Sequence, residues 1–341
     1  MTTAVGPLHD RLAGLGVADD MEAASAQLAR AGLTDGLAVH PPTEARVAAF
    51  VAASVSGGSA SAPDRPVGPI PLAMTPPSEW DLAACAVMAG CPPAAFGLVE
   101  AALAAMTAPE FNLLGIQTTT SGVAPLTVVS GETSPTPTLA VGRAVRLALA
   151  VLGNALPGIT NLSTQGHPGR ISWCRSETAE SPWPALHLEH APDSATGVTA
   201  VASAGHLEVI LGRATCDVDL EVLAAGCRAV RATGLTGGAL RRQVLVVVPP
   251  ETAIRLAEAG LARSDVAQIL WRASSTPPSE SPAHRGSGSE VGEAEVLSTG
   301  ESGGPADVLV AVCGGVGIKG TVVQTWGSGS AVTVGLVPAA G

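Results

Sequence analysis

The run Val244-Leu-Val-Val-Val248, followed without a break by Pro249-Pro250-Glu251-Thr252, constrains the fold most. A strand with one wet face alternates apolar and polar residues, whereas this one is apolar at every position. It must be dry on both faces. Prolines and a carboxylate straight after it start a helix, because proline suits the first helical turn and an acid suits the positive end of the helix dipole. Strand and helix in direct succession, with a second apolar run at Asp307–Cys313, predict an α/β fold. The expected architecture is a mixed or mostly parallel sheet covered by helices, arranged as two α/β lobes with a site between them.

Two more double-proline starts, Pro41-Pro42-Thr43-Glu44 and Pro76-Pro77-Ser78-Glu79, predict helices to about Ser54 and Ala89. Further helices are expected over 18–30, up to Met106, 136–153, 219–232, 252–259 and 264–272. Short strands are expected at Leu37–Val39, Leu126–Val129, as a pair at Gly197–Ser203 and Leu207–Leu211, and twice before Pro338. Leu186-His-Leu-Glu-His190 reads as the start of another. Residues 1–16 carry no commitment. Segments 56–68 and 273–306 are rich in Gly, Ser and Pro and read as loops. The chain is therefore parsed as a helix-rich lobe with the site cluster (1–190), a second lobe (191–272), a low-complexity linker (273–306) and C-terminal strands (307–341) returning to the second lobe.

Composition narrows the partners. Aromatic residues make up 2% of the chain and tyrosine is absent, so the core is aliphatic and base stacking is disfavoured. The net charge of −11 repels phosphate backbones and anionic lipid, which argues against nucleic-acid and membrane partners. No basic and then apolar leader opens the chain, and no apolar run is long enough to span a bilayer, so a cytoplasmic location is expected. The six cysteines are scattered, with no C-x-x-C pair, and read as thiols rather than as a disulfide framework. A homo-oligomer is compatible with this surface.

Against this bland background, Thr164–His190 holds three of the seven histidines, a cysteine, three glutamates and two arginines. Ionisable groups are costly to hold in a fold, so their concentration marks a site. His167, on the rigid Gly166-His-Pro-Gly169 turn, is the candidate acid/base. Cys174 is the candidate nucleophile, with Cys91 as the other choice, and Glu177 the group that orients the histidine. Arg170 and Trp183 lie in the same cluster. Gln117, Thr118, Thr119 and Thr120 offer an amide and hydroxyls as a substrate clamp, and Gly314, Gly315 and Lys319 a turn against which substrate can lie. No nucleotide loop is present: Ile318 and Gly320 stand where a phosphate loop needs glycine and a hydroxyl residue. No cofactor is expected. The alternative is zinc or iron held by His187 and Glu189, alternating on a strand, together with His167 and Cys174.

Several phrases resemble one family. They are Gly32-Leu-Thr-Asp-Gly-Leu with Pro41-Pro42-Thr43-Glu44-Ala-Arg-Val, Val87-Met-Ala-Gly-Cys91, Glu110-Phe-Asn-Leu, Gly115-Ile-Gln-Thr-Thr119, Gly166-His-Pro-Gly169, Ser181-Pro-Trp183 and Leu186-His-Leu-Glu189. The chain is similar, over roughly residues 30–270 and the final strand, to poorly characterised bacterial proteins found beside or fused to small Sec/Cys-Gly-Ser-Cys motif (seleno)proteins. That resemblance places Cys91, Gln117, Thr118, His167, Cys174, Glu177, Trp183, His187 and Glu189 on family motifs. The family carries no established reaction; association with a redox-active partner motif would fit thiol or C–S chemistry in bacterial specialised metabolism. The Sec-Gly-Ser-Cys segment itself is missing, and Ile318-Lys319 stands where the family pattern leads us to expect His-Ser.

The functional expectation is an enzyme acting on a small polar molecule by Cys/His chemistry, a lyase or hydrolase rather than an oxidoreductase. The competing class is a non-catalytic binding or scaffold subunit for a redox-active partner.

Overall fold

The computed structural model describes residues 7–54, 66–131, 136–155, 158–212, 214–232, 243–274 and 304–336. Most of the 273–306 segment and of the 56–68 loop lies outside the described residues. The chain is α/β and divides into two units that are interleaved rather than consecutive. The first unit takes residues 1–176, 187–201 and 331–341; the second takes 177–186 and 202–330.

In the first unit the helices are α1 (Leu8–Leu15), α2 (Met21–Arg30), α3 (Glu44–Ala52), α4 (Glu79–Met88), α5 (Phe96–Thr107), α6 (Leu113–Thr118) and α7 (Thr138–Val151). Helix α1 falls where the sequence suggested nothing; Leu8 and Leu12, four apart, are its buried stripe. Ser78 forms a capping box with Asp81 at the start of α4, the predicted use of that proline-serine opening. Thr43 makes no such side-chain bond, so the proline opening alone marks α3. Residues Leu37–Val39 form no strand. Helices α4 and α5 are buried on nearly every side and pack against α7. Strand β1 (Ala124–Gly131) is buried along its length and pairs in parallel with β2 (Cys174–Ser176), Thr127 opposite Cys174.

Strand β3 (Thr196–Ile210) corrects the expected strand pair: it is one long strand, with a register shift between Ser203 and Gly205, in the gap between the two expected strands. Gly205 and the small residues around it look like a turn, but they accommodate a bulge instead. The first residues of β3, Thr196–Ala200, pair antiparallel with β7 (Val332–Leu336) in the first unit.

The rest of β3 belongs to the second unit. There it pairs antiparallel with β6 (Lys319–Thr325), which pairs antiparallel with β4 (Val244–Val248), which runs parallel to β5 (Val308–Val312). All of β4 and β5 is buried, as the apolar runs require. Helices α8 (Cys216–Ala232), α9 (Pro250–Glu258) and α10 (Arg263–Ser274) supply the apolar cover; Leu220, Leu223, Leu256, Val266 and Leu270 join Val246, Val310 and Val322 in one core.

No single helix among the described residues is long and apolar enough to cross a membrane. One bent pair, Pro93–Thr107 with Pro109–Thr118 at 71°, has the length and composition, and the α5 part of it is packed into the core.

Candidate functional site

Two stretches singled out by sequence meet in the first unit. Thr164 N donates to Thr120 O at 2.9 Å, and Arg170 Nε donates to Val123 O at 2.9 Å. Gly122 runs so close to the 164–170 loop that a Cβ there would lie 2.6 Å from Gly166 O. The expected clamp of threonine hydroxyls takes another form, however. Gln117 and Thr118 are helical, and the Thr118 hydroxyl donates back to Leu114 O at 2.9 Å. Thr119 Oγ1 accepts from Ser121 N at 3.1 Å, so it fixes the turn. Thr120 is exposed and contributes its carbonyl.

His167 caps the short 3₁₀ turn Pro168–Arg170. Its Nδ1 accepts from Gly169 N at 2.9 Å, which places the proton of the neutral ring on Nε2. The ring stacks on Trp173, with centroids 4.7 Å apart and planes inclined by 22°. Only glycine permits that stack at 169, since a Cβ would come within 2.0 Å of Trp173 Cε3. The turn and the indole together hold the imidazole in one orientation.

The surroundings of Cys174 disfavour the thiolate that a Cys–His pair would need. Burial, and then the neighbouring Cys91 thiol, push its pKa up to about 12; burial alone pushes Cys91 up to about 12. An imidazolium partner would act in the opposite direction. Both groups are therefore protonated thiols at neutral pH, able to donate but poor at attacking.

Helix α7 lines up the remaining pieces. Gly142 and Arg146 are four apart and share a face. The missing side chain at Gly142 admits the 172–174 segment: a Cβ there would lie 2.5 Å from Ser172 Oγ and 3.2 Å from Cys174 Cβ. Arg146 is only 8% exposed, and its Nε donates to Arg170 O at 3.1 Å. Just past the helix end, the Gln117 amide nitrogen sits 3.0 Å from where a Cβ on Gly153 would be. Gln117 is 3% exposed, and neither its Oε1 nor its Nε2 has a hydrogen-bond partner. An unmet buried amide costs roughly 1–3 kcal/mol per atom. Arg146 was not among the sequence candidates. The available signal was its charge on a helix otherwise apolar almost all round.

The other candidates are committed elsewhere. In the second unit, Glu177 is saturated: Oε1 accepts from Arg263 Nη2 and from Val312 N, both at 3.1 Å, and Oε2 from Leu186 N at 2.6 Å. Trp183 is buried in that unit's core, with its indole N–H donating to Leu261 O at 3.0 Å. Gly314 and Gly315 lie on an exposed turn with open space around them, and Lys319 pairs with Glu208 on the surface.

His187, in the first unit, is 1% exposed. Its Nε2 donates to Ser194 O at 2.9 Å, so Nδ1 accepts from the Ser130 hydroxyl at 2.9 Å. Both ring nitrogens are occupied. Residues Leu186–Glu189 form a 3₁₀ turn rather than a strand, which breaks the expected alternation, and Glu189 is exposed. Among the described residues no group of three or more His, Cys, Asp or Glu side chains is placed to hold a metal ion.

Comparison with family models, with curated proteins and with solved structures finds no match to this chain.

Proposed function

We propose that the first unit is an enzyme that binds a small polar molecule along the α7 face and moves a proton on it. The observation that carries this reading is Gln117: a nearly fully buried amide with both polar atoms unpartnered. Native folds rarely leave such a group unmet unless a ligand or water meets it. His167 supplies the acid/base, fixed by Gly169 and Trp173, with its Nδ1 already satisfied and Nε2 carrying the transferable proton. Cys174 supplies a protonated thiol beside the same helix. Such a set suits a lyase or hydrolase step, in which a proton transfer accompanies bond cleavage.

The test is to incubate the protein with a small-molecule extract and follow the compounds by mass spectrometry, beside His167→Asn and Gln117→Leu variants. At least one compound should be consumed by the wild type and spared by H167N. Q117L should melt at or above the wild-type temperature, because it removes an unmet amide, yet lose that turnover. A wild type that consumes nothing, or an H167N that consumes the same compound equally fast, overturns the reading.

A further inference from the structure

The loop and helix that frame this site place two arginines in contact, and among the described residues neither is paired with an acid. Arg146 reaches from α7 and Arg170 from the 3₁₀ turn after His167. Each spends its Nε on the backbone: Arg146 on Arg170 O at 3.1 Å, Arg170 on Val123 O at 2.9 Å. Among the described residues neither makes an ion pair, and the terminal nitrogens of neither donate a hydrogen bond. Two other arginines of low exposure are matched by acids. Arg143, one turn earlier on α7, is matched by Asp35 through Nε at 2.9 Å and Nη2 at 3.0 Å, and Arg263 is matched by Glu177.

Two positive charges on contacting residues, one of them only 8% exposed, are unfavourable as they stand. The cost shows in Arg146, whose pKa is lowered to about 10 by burial and then by Arg170. A lysine would respond by losing its proton, but a guanidinium keeps its charge in this range and must be neutralised from outside. What it offers is a planar fork of N–H donors, matched to the paired oxygens of a carboxylate or phosphate.

We infer that Arg146 and Arg170 form the binding site for a doubly charged oxyanion, a phosphomonoester or a dicarboxylate, carried by the molecule on which the first unit acts. This rests on the reading of the α7 face as a substrate site and names the class of substrate. One anionic group bridging both forks cancels their repulsion. Arg170 follows His167 by three residues, so an anion held there brings the rest of the molecule to the imidazole. Gln117 lies against Gly153, just past the C-terminal end of α7 and seven residues after Arg146, roughly 10 Å at 1.5 Å each, and takes the polar far end. The substrate is thus a short molecule, anionic at one end and able to both donate and accept hydrogen bonds at the other.

The experiment measures binding of inorganic phosphate, malonate and sulfate to the full chain by calorimetry and thermal shift, at constant ionic strength against chloride. Phosphate or malonate should bind and raise the melting temperature, and the affinity should fall steeply with added salt. Tighter phosphate binding points to a phosphomonoester, and tighter malonate binding to a dicarboxylate. Arg170→Gln should weaken binding by about tenfold or more, the loss of one charge-assisted fork. Arg170→Lys, which keeps charge and bulk, should also weaken it, and serves where R170Q fails to fold. Arg143→Gln should leave it unchanged, because that guanidinium is already matched. The inference is overturned if no anion binds better than chloride, or if R143Q weakens binding as much as the Arg170 variants do. Anion binding without turnover of any compound would remove the enzyme assignment and leave the site. Turnover of a neutral compound without anion binding would do the reverse.

Discussion

Removing the Glu177 carboxylate separates a structural role from a catalytic one. Three donors converge on it, and its Arg263 partner is 6% exposed. In Glu177→Ala the backbone N–H groups of Leu186 and Val312 lose their acceptor, and the Arg263 charge is stranded in the interior. Breaking a buried pair from one side costs about 3–5 kcal/mol, mainly because the surviving charge is uncompensated. For a unit of this size that is a fall in melting temperature of roughly 6–20 °C. Glu177→Gln keeps one acceptor oxygen and the volume, and should lose about 1–3 kcal/mol. The double variant E177A/R263M removes the stranded charge as well. It should be more stable than the two single losses added together, a coupling that a double-mutant cycle measures directly. Tryptophan fluorescence is a suitable probe during urea or thermal unfolding, because Trp183 lies in the same core. An E177A variant within about 1 kcal/mol of the wild type would refute the structural role and return Glu177 to the list of reactive groups.

Four other outcomes follow from the structure. Alkylation of Cys174 by iodoacetamide should be slow at neutral pH and climb with pH without a plateau below about 10, since its pKa is pushed up to about 12; a plateau near pH 7 that His167→Ala abolishes would restore the Cys–His pair. The raised Cys91 and Cys174 pKa values also have a sign for stability: above the unfolded value of about 8.5 the unfolded chain binds fewer protons, so stability should fall as pH rises from there toward 12, and a rise would contradict the burial of these thiols. Gly169→Ala should drive Trp173 off His167 and cost about 1–3 kcal/mol, visible as a changed near-ultraviolet circular dichroism signal; an unchanged signal and melting temperature would contradict the close approach. A chelator should leave melting unchanged because both His187 nitrogens are hydrogen-bonded, and a chelator-induced drop that His187→Ala abolishes would show a bound metal instead.

What the sequence revealed, and what it hid, depended on the range of the interaction. Val244–Val248 read as a doubly buried strand because burial at five successive positions is a local pattern. The proline starts of α3, α4 and α9 were legible for the same reason. The cluster from Thr164 to His190 was legible as a place but not as a division of labour. Its first half faces α7, whereas Glu177 and Trp183 pin a different unit and His187 is locked between Ser130 and Ser194. Hydrogen-bond partners as far as 135 residues away help decide those fates, and no spacing rule reaches that far. Gly205 misled because a bulge and a turn use the same small residues. Arg146 is hidden from a sequence reading because a charge on a mostly apolar helix gives no hint of its partner, and here the neighbour is another arginine. Gln117 could be named from sequence, but its unmet amide appears only once Gly153 is packed against it.

The long strand β3 has a consequence for how the chain is made. Its opening residues pair with Val332–Leu336, and the residues beyond Ser203 pair with Lys319–Thr325. Everything between Ile210 and Lys319 is synthesised before either partner leaves the ribosome. Through that interval one side of β3 presents unpaired N–H and C=O groups, a ready template for the wrong strand. Pairings between residues so distant in sequence also form slowly, since a large loop must close before any contact rewards it. The unit that carries the His167 loop is begun first and completed last. A nascent chain stalled short of β6 should therefore depend on chaperones far more than one released after β7.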